Sequence, residues 1–408
     1  GRLFEFTDNP PNFVFLIIES LSRDFSGPNA RWGSFTPFLD SLASNSLYWS
    51  NFLTTSERTF NILPSALASL PYGEKGFMVI PKNKGSYPSF LSLNNILSQK
   101  ANYKSNFFYG GWANFDNTKT FLKESGVEYF LDQNDFGDEY KKIGEDSKEF
   151  SWGYHDHAVY QRSMEILDSL NPQPRIDIYL TLSMHDPFAP PSMEEWKKTF
   201  SAHLKQISPT SKPKEFYTKR KNELSTIMYA DNALRDFFHE YKNRADYENT
   251  IFMIFGDHNL PMHEYSPIEK YHVPLIMFSP MLKNSKKFPA ISSTADITPT
   301  ILNMMQKNFD VKTPKQVHWL GAPLDTNPVF QSDNFIPFMR ISRDINELLM
   351  GQYFLSEGRL FEVNKHMNLR PSANEEKLKE MQKMLDAFSI LNKYTCDLDA
   401  IYKPLKSE

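Results

Sequence analysis

The sequence predicts an α/β fold in which a central, mostly parallel sheet is sandwiched by helices and a small C-terminal α+β subdomain follows. Three observations predict it. From residue 12 to about residue 280, apolar runs of strand length alternate with amphipathic segments of helix length, the order expected when crossover helices join parallel strands. The runs are apolar at nearly every position rather than at every second one, as in strands buried on both faces. The chain of 408 residues, 40% hydrophobic and 23% charged, can bury a large core.

Taken in order, NFVFLIIES (12–20) reads as the first strand and TPFLDSLASNS (36–46) as a helix. SFLSLNNILSQK (89–100) is a second amphipathic stretch, leading to the strand YKSNFFYGG (103–111). HAVYQRSMEILDSL (157–170) precedes the strand RIDIYLTLSMH (175–185), and ELSTIMYADNALRDFFHEYKNR (223–244) precedes NTIFMIFGDH (249–258) and VPLIMFSP (273–280). Beyond these, FIPFMRIS, GQYFLSEG and RLFEV read as short strands of a meander. The stretch 373–394 has helical periodicity, with Leu378, Met381, Met384, Leu385 and Phe388 on its apolar face, and mixed charge that favours packing over lipid binding. The expected division is 10–325 for the main unit and 326–408 for the meander with its helix.

Composition narrows the function. A net charge of −4 without a Lys/Arg block gives no argument for a nucleic-acid partner. The single cysteine, Cys396, excludes an internal disulfide, a CxxC redox pair and a cysteine zinc cluster. No apolar run approaches membrane-spanning length. Gly1 stands first without a Met, as if left by a cleavage, so the chain is expected to be a piece of a longer protein whose anchor or signal lies elsewhere.

Four predicted strands end in polar or glycine-rich residues: Glu19 and Ser20; Gly110, Gly111 and Trp112; His185 and Asp186; Asp257 and His258. Ligands of open α/β sheets bind beyond the carboxyl ends of strands, so the chemistry is expected where these ends meet. Asp257 and His258 at a strand mouth can reach one cation if the chain turns sharply, and their oxygen and nitrogen donors suit zinc or manganese. A helix cap or a core histidine would account for the same pair. Glu19 ends an apolar run where an unpaired carboxylate is costly to bury, and either a metal or Arg23 would relieve that cost. The hydroxyl-rich stretch TTSERTFNILPSALASLP (54–71) runs into an apolar helical segment. Its Thr54, Thr55, Ser56, Thr59 and Ser65 all compete for a chemical role, capping and loop satisfaction being the alternative.

The succession FLIIES, TPFLDSLA, the Thr59 segment with Pro64, TLSMHDP, YADNALRDFF, IFGDH, VPLIMFSP and TADITPTIL resembles the alkaline phosphatase and sulfatase superfamily from about residue 12 to about residue 322. It is most similar to the extracytoplasmic domains of lipoteichoic acid synthase-like proteins, with phosphoethanolamine transferases as near relatives. The resemblance implies an alkaline phosphatase-like fold and a metal site of Glu19, Thr59, Asp257 and His258 for one divalent cation, manganese, zinc or magnesium. It makes Thr59 the nucleophile, since the phosphoethanolamine transferases place theirs five residues before a proline, as Thr59 stands before Pro64. Chemistry agrees: a coordinated cation lowers the pKa of an otherwise poor nucleophile and neutralises phosphate oxygens during in-line attack. A helix starting near Thr59 would add backbone N–H groups, and Pro64 is tolerated in its first turns.

Further roles follow from the resemblance. His185 falls where the family contacts phosphate or protonates a leaving oxygen. Arg58 is expected either to clamp the phosphate or to pair with Glu57 or Glu19. His263 with His185 offers a second cation site. Trp112 stands where lipoteichoic acid synthases line a glycerol phosphate pocket, or else packs on the glycine turn; Asn114 replaces the arginine those enzymes carry two residues on, which removes a fixed positive charge. His155 and His157 in GYHDHAVY invite a metal reading, but surface capping by Asp156 is the expectation.

The implied function is a metal-dependent transferase that moves a phosphoglycerol- or phosphoethanolamine-type headgroup from a phospholipid through a phospho-threonine to an envelope acceptor. Its expected setting is the extracytoplasmic face of a bacterial cell membrane, held there by a segment outside this chain. The alternatives are a phosphodiesterase or phosphatase, a sulfuric-ester hydrolase, and a non-catalytic lipid- or partner-binding domain. A formylglycine sulfatase needs Cys or Ser two residues before a proline in a C/S-x-P-x-R pattern; here that residue is Ile62, and Cys396 is remote. The complete set of Glu19, Thr59, Asp257 and His258 argues against a domain without catalysis.

Overall fold

The computed structural model describes residues 3–81, 85–145, 150–170, 174–207, 212–314, 317 and 319–397. Strand β1 (Asn12–Ile18) explains the layering, because all its residues are buried and successive side chains leave opposite faces of the sheet. Phe13, Phe15 and Ile17 enter one core with the helices Ile62–Ala68, Leu93–Ala101 and Ile297–Phe309. Val14, Leu16 and Ile18 enter a second with the helices Pro37–Ser44, Asp156–Leu167, Met193–Gln206 and Lys221–Tyr241. A strand apolar at nearly every position thus needs helices on both faces.

The main sheet also contains β2 (Leu47–Leu53), β3 (Lys104–Tyr109), β4 (Tyr129–Leu131), β5 (Arg175–Leu180), β6 (Thr250–Gly256), β7 (His272–Phe278), β8 (Lys286–Phe288) and β9 (Ser292–Ser293). Its order is β4-β3-β5-β1-β6-β7-β2-β8, with β9 also on β2. Pairing is parallel from β4 to β6 and antiparallel where β7 meets β6 and β2. The registers decide the site: Ile17 lies opposite Leu180 of β5, and Ile18 opposite Gly256 of β6. The residues after them, Glu19, Thr181 and Asp257, therefore emerge side by side. Gly256 is needed there, because a Cβ at 256 would stand 2.5 Å from the Leu21 carbonyl oxygen as the chain leaving β1 crosses the end of β6.

The mostly parallel sheet between helices is as the sequence predicts, with differences. Strand β2 is absent from the sequence reading because Ser50 and Asn51 interrupt its apolar run, and they lie where its register on β7 shifts between Trp49 and Phe52. The predicted strands 175–185 and 249–258 end earlier, at Leu180 and Gly256, so that their polar ends form turns.

A second, antiparallel sheet comprises β10 (Phe335–Phe338), β11 (Glu347–Met350), β12 (Tyr353–Ser356), β13 (Arg359–Val363) and β14 (Leu369–Pro371), in that order. The helix Glu375–Asp397 packs on it through Leu378, Met381 and Leu385, and its Phe388 reaches Tyr72 and Phe335. Met384, expected inward, is instead 43% exposed, since the helix face is centred on 381 and 385. We propose the division into two units at 325/326, ahead of β10; residues 398–408 lie outside the described residues.

The two sheets share a core of Leu53, Tyr271 and Ile291 with Ile336, Phe338 and Phe354. Inside it Tyr271 donates a hydrogen bond to the buried Glu347 carboxyl, which also accepts from Ser356. Burial pushes the Glu347 carboxyl above its usual range. Tyr271→Phe is expected to cost about 1–3 kcal/mol, the penalty of a buried acceptor left unmet. A denaturant titration measures it, and an unchanged midpoint contradicts the role.

Candidate metal centre and active site

Glu19 and Asp257 are brought together by register and then fixed by the backbone. Just after β1 the chain turns at Ser20 (φ 54°), a conformation uncommon for a side-chain-bearing residue. The turn lets the Ser20 N–H donate to Asp257 Oδ1 at 2.8 Å and the Ser20 hydroxyl donate to Glu19 Oε1 at 2.8 Å. The Glu19 N–H donates to Thr181 Oγ1 at 3.0 Å, and the Asp257 N–H to the Ile18 carbonyl at 3.2 Å. Three strand ends are thereby tied into one platform.

The segment after β2 brings the hydroxyls. Thr54 donates to the Asp257 carbonyl, Thr55 to Ser65, and Ser56 to the Arg58 carbonyl, while Ser65 and Thr294 lie 2.7 Å apart. These satisfy loop and helix. Thr59 opens a 3₁₀ turn (Thr59–Asn61) ahead of the helix Ile62–Ala68, so the helix begins three residues later than a direct start at Thr59 would place it. Its Oγ1 donates to Asp257 Oδ2 at 2.7 Å and stands 3.3 Å from both Glu19 Oε2 and His258 Nε2.

His258 completes the group, its Nε2 lying 3.3 Å from Glu19 Oε1 and 3.4 Å from Asp257 Oδ2. Its Nδ1 is 2.8 Å from the Asn259 carbonyl; a proton donated there turns Nε2 toward the carboxylates. Burial raises the Asp257 carboxyl and the negative charge of Glu19 raises it further. Burial opposes charge on His258 and on Glu19 too, but Asp257 and Glu19 together raise the imidazole, and His258 in turn lowers the Glu19 carboxyl. The pocket thus demands a positive charge between two buried carboxylates.

A divalent cation fits that demand. One donor atom from each of Glu19, Asp257 and His258 lies within 4.8 Å of the others, and carboxylate, imidazole and hydroxyl donors suit zinc, manganese or magnesium. Arg23 does not relieve Glu19, since its guanidinium donates to the carbonyls of Ser26 and Pro28. Nor does Arg58 pair with Glu57 or Glu19: Glu57 holds Lys270 at 3.1 Å and accepts the Ile341 N–H at 2.7 Å. Among the described residues the exposed Arg58 guanidinium has no partner and sits on the rim of a recess over Thr59.

That recess, about 270 Å³, includes Arg58, Tyr109, Trp152, His185 and Arg343 in its lining. The His185 ring lies 4.0 Å from the Trp152 ring, with Nδ1 3.1 Å from the Asp186 carbonyl. Trp112 and Asn114, expected to contact substrate, are exposed and lie outside this lining. Trp152 lines the recess and was missed, having no motif around it beyond the glycine that follows. Arg343 was missed too; it arrives from the turn between β10 and β11, donates to the Lys75 carbonyl at 3.0 Å and lies over the Phe60 ring.

His263 lines a neighbouring groove with Lys270 and Arg340, and does not line the recess that holds His185. Among the described residues neither histidine enters a group of three metal-type ligands. Asp156 is no surface cap: it is 1% exposed and accepts the N–H groups of Leu182 and Ser183, fixing the loop that carries His185. His155 is buried beside Ser183, and burial lowers its pKa to about 4.

The sulfatase family profile matches residues 11–307. Lipoteichoic acid synthase 2 of Bacillus subtilis is 25% identical over 72% of this chain and 44% of its own length. Lipoteichoic acid synthase of Staphylococcus saprophyticus is 26% identical over 72% and 45%. The chain spans less than half the length of both relatives. Among solved structures, an alkaline phosphatase superfamily protein of Vibrio parahaemolyticus superposes with a TM-score of 0.75 at 20% identity, covering 98% of this chain and 90% of the other. The lipoteichoic acid synthase LtaP of Listeria monocytogenes gives 0.69 at 20% identity, covering 96% and 93%. The periplasmic domain of EcEptC from Escherichia coli gives 0.51 at 18% identity, covering 79% and 93%. The fold is alkaline phosphatase-like, and with the profile spanning most of its length the chain belongs to the sulfatase family.

Proposed function

We propose that this domain is a divalent-metal-dependent transferase that takes a phosphorylated headgroup from a phospholipid onto Thr59 and passes it to a hydroxyl of an envelope acceptor. The observation that carries the reading is the Thr59 hydroxyl donating at 2.7 Å to Asp257 within the Glu19–Asp257–His258 group. Similarity to lipoteichoic acid synthases supports a headgroup transfer. A bound cation would be held by Glu19, Thr59, Asp257 and His258, and supplies charge neutralisation and a lowered hydroxyl pKa.

The chain's own residues account for the rest. Thr59 Oγ1 attacks phosphorus as its proton passes to the Asp257 carboxylate it already faces, and the lipid oxygen leaves with a proton from His185. The acceptor hydroxyl then attacks the same phosphorus, its proton goes to His185, and Thr59 regains the proton held by Asp257. Arg58 steadies the phosphate oxygens from the rim. We place the domain at the extracytoplasmic face of a bacterial membrane, attached through a segment outside this chain; among the described residues no helix is long and apolar enough to span a bilayer.

Arg58→Ala is expected to raise KM about tenfold with an unchanged melting temperature, and Arg58→Lys to recover part of the loss. Unaltered KM in both variants contradicts the clamp. To separate transfer from hydrolysis, the protein is incubated with manganese and headgroup-labelled phosphatidylglycerol or phosphatidylethanolamine. Label on an acceptor supports the transferase, label released only to water supports a phosphodiesterase, and neither result with either lipid overturns the proposal.

A further inference from the structure

A second cavity, about 390 Å³, opens where the 23–31 loop, β2, β7 and β8 meet the turn between β13 and β14. It shares no lining residue with the recess over Thr59. Four basic side chains line it, Arg23, Arg31, Lys287 and Lys365, against two carboxylates, Asp24 and Glu269, a formal excess of two positive charges. His272 adds none, because burial drives its pKa down to about 3.

The carboxylates offset only part of this charge. Glu269 is committed to an ion pair with Arg31 and accepts the Ser266 N–H at 2.8 Å. Asp24 is 3% exposed, and its Oδ2 has no partner among the described residues. Arg23, 8% exposed, spends its Nη atoms on the carbonyls of Ser26 at 2.9 Å and Pro28 at 2.7 Å, and its Nε is unpartnered among the described residues. Arg23 and Lys287 also flank one ring, 5.6 and 6.0 Å from the centre of Tyr48. Partial burial and the charge of Arg23 both disfavour the charged form of Lys287. Like charges that face one ring raise the energy of the folded state, and an anion bound among them lowers it.

We propose that this cavity binds a phosphate group, free or as a phosphodiester, among Arg23, Lys287 and Lys365. Lys365 projects from the C-terminal sheet and Lys287 from β8, so a bound anion ties the two sheets together. The inference does not depend on the chemistry at Thr59. Calorimetric titrations of chelator-treated protein with inorganic phosphate and with a short glycerol-phosphate oligomer test it, using the parent, Thr59→Ala and the double variant Lys287→Ala/Lys365→Ala. Saturable binding is expected in the parent and in Thr59→Ala, weakened about tenfold or more in the lysine variant and by added salt, and accompanied by a rise in melting temperature. Tighter binding of the oligomer assigns an esterified anion, and equal affinity assigns free phosphate; both support the site. Absence of saturable binding by either probe, or equal affinity in the lysine variant with its circular dichroism unchanged, overturns it.

Discussion

Thr59→Ala should lower turnover on the order of 10⁴-fold, as loss of a covalent nucleophile does elsewhere, and leave the protein folded. The hydroxyl is the one in its segment that donates to the buried carboxylates, whereas Thr54, Thr55, Ser56 and Ser65 serve the backbone or one another. Their removal should therefore act on stability more than on rate. Thr59→Ser keeps an oxygen at the same place and is expected to retain a measurable part of the activity. Steady-state kinetics on a phosphodiester substrate decide it. Full activity in Thr59→Ala would mean that another group attacks phosphorus and that the Thr59 contacts are structural.

Asp257→Asn should weaken binding of manganese or zinc by more than about 100-fold, since groups that only hydrogen-bond a metal ligand already cost about 10- to 100-fold. The same change should have the opposite sign on the metal-free protein. Asp257 is fully buried beside Glu19, and burial together with that neighbouring charge raises its carboxyl. An amide at 257 keeps an oxygen for the Ser20 and His258 N–H groups and removes both the burial cost and the Glu19 repulsion, which together outweigh the attraction of Asp257 to His258. In chelator the variant should melt at or above the temperature of the parent, a trade of stability for function. Isothermal titration and thermal melts give both quantities. Unchanged metal affinity, or a large drop in metal-free stability, would make Asp257 a structural residue.

How much of this was legible in the sequence differs by element. β1 and β6 could be read because they are apolar at nearly every position and run into Glu19 and Asp257–His258, so pattern and chemistry marked neighbouring positions. β2 could not, since Ser50 and Asn51 at its irregularity break the pattern that a buried strand otherwise leaves. The antiparallel course of β7 was equally hidden, because burial on both faces produces the same run in either direction.

The site divides along the same line. Glu19, Asp257 and His258 converge through the parallel register between β1 and β6, and Thr59 joins them from the segment after β2. The recess wall was not legible: Trp152 and Arg343 reach it from a loop before the helix Asp156–Leu167 and from the second sheet, far from Thr59 in sequence. The resemblance placed Trp112 and Asn114 there instead, and both are exposed outside the lining. Whether His263 and His185 share a cation was likewise a question of loop course, and they line different hollows.

The central claim is a covalent phospho-threonine, and peptide mapping after acid quenching tests it most directly. The protein is incubated with manganese and a phospholipid carrying a labelled phosphorylated headgroup, stopped before acceptor is added, digested and analysed by mass spectrometry. The account predicts the headgroup phosphate on Thr59, chased off when acceptor or time is supplied. Turnover of the same lipid with no adduct on Thr59 at any quench time, or an adduct on another residue, would contradict it.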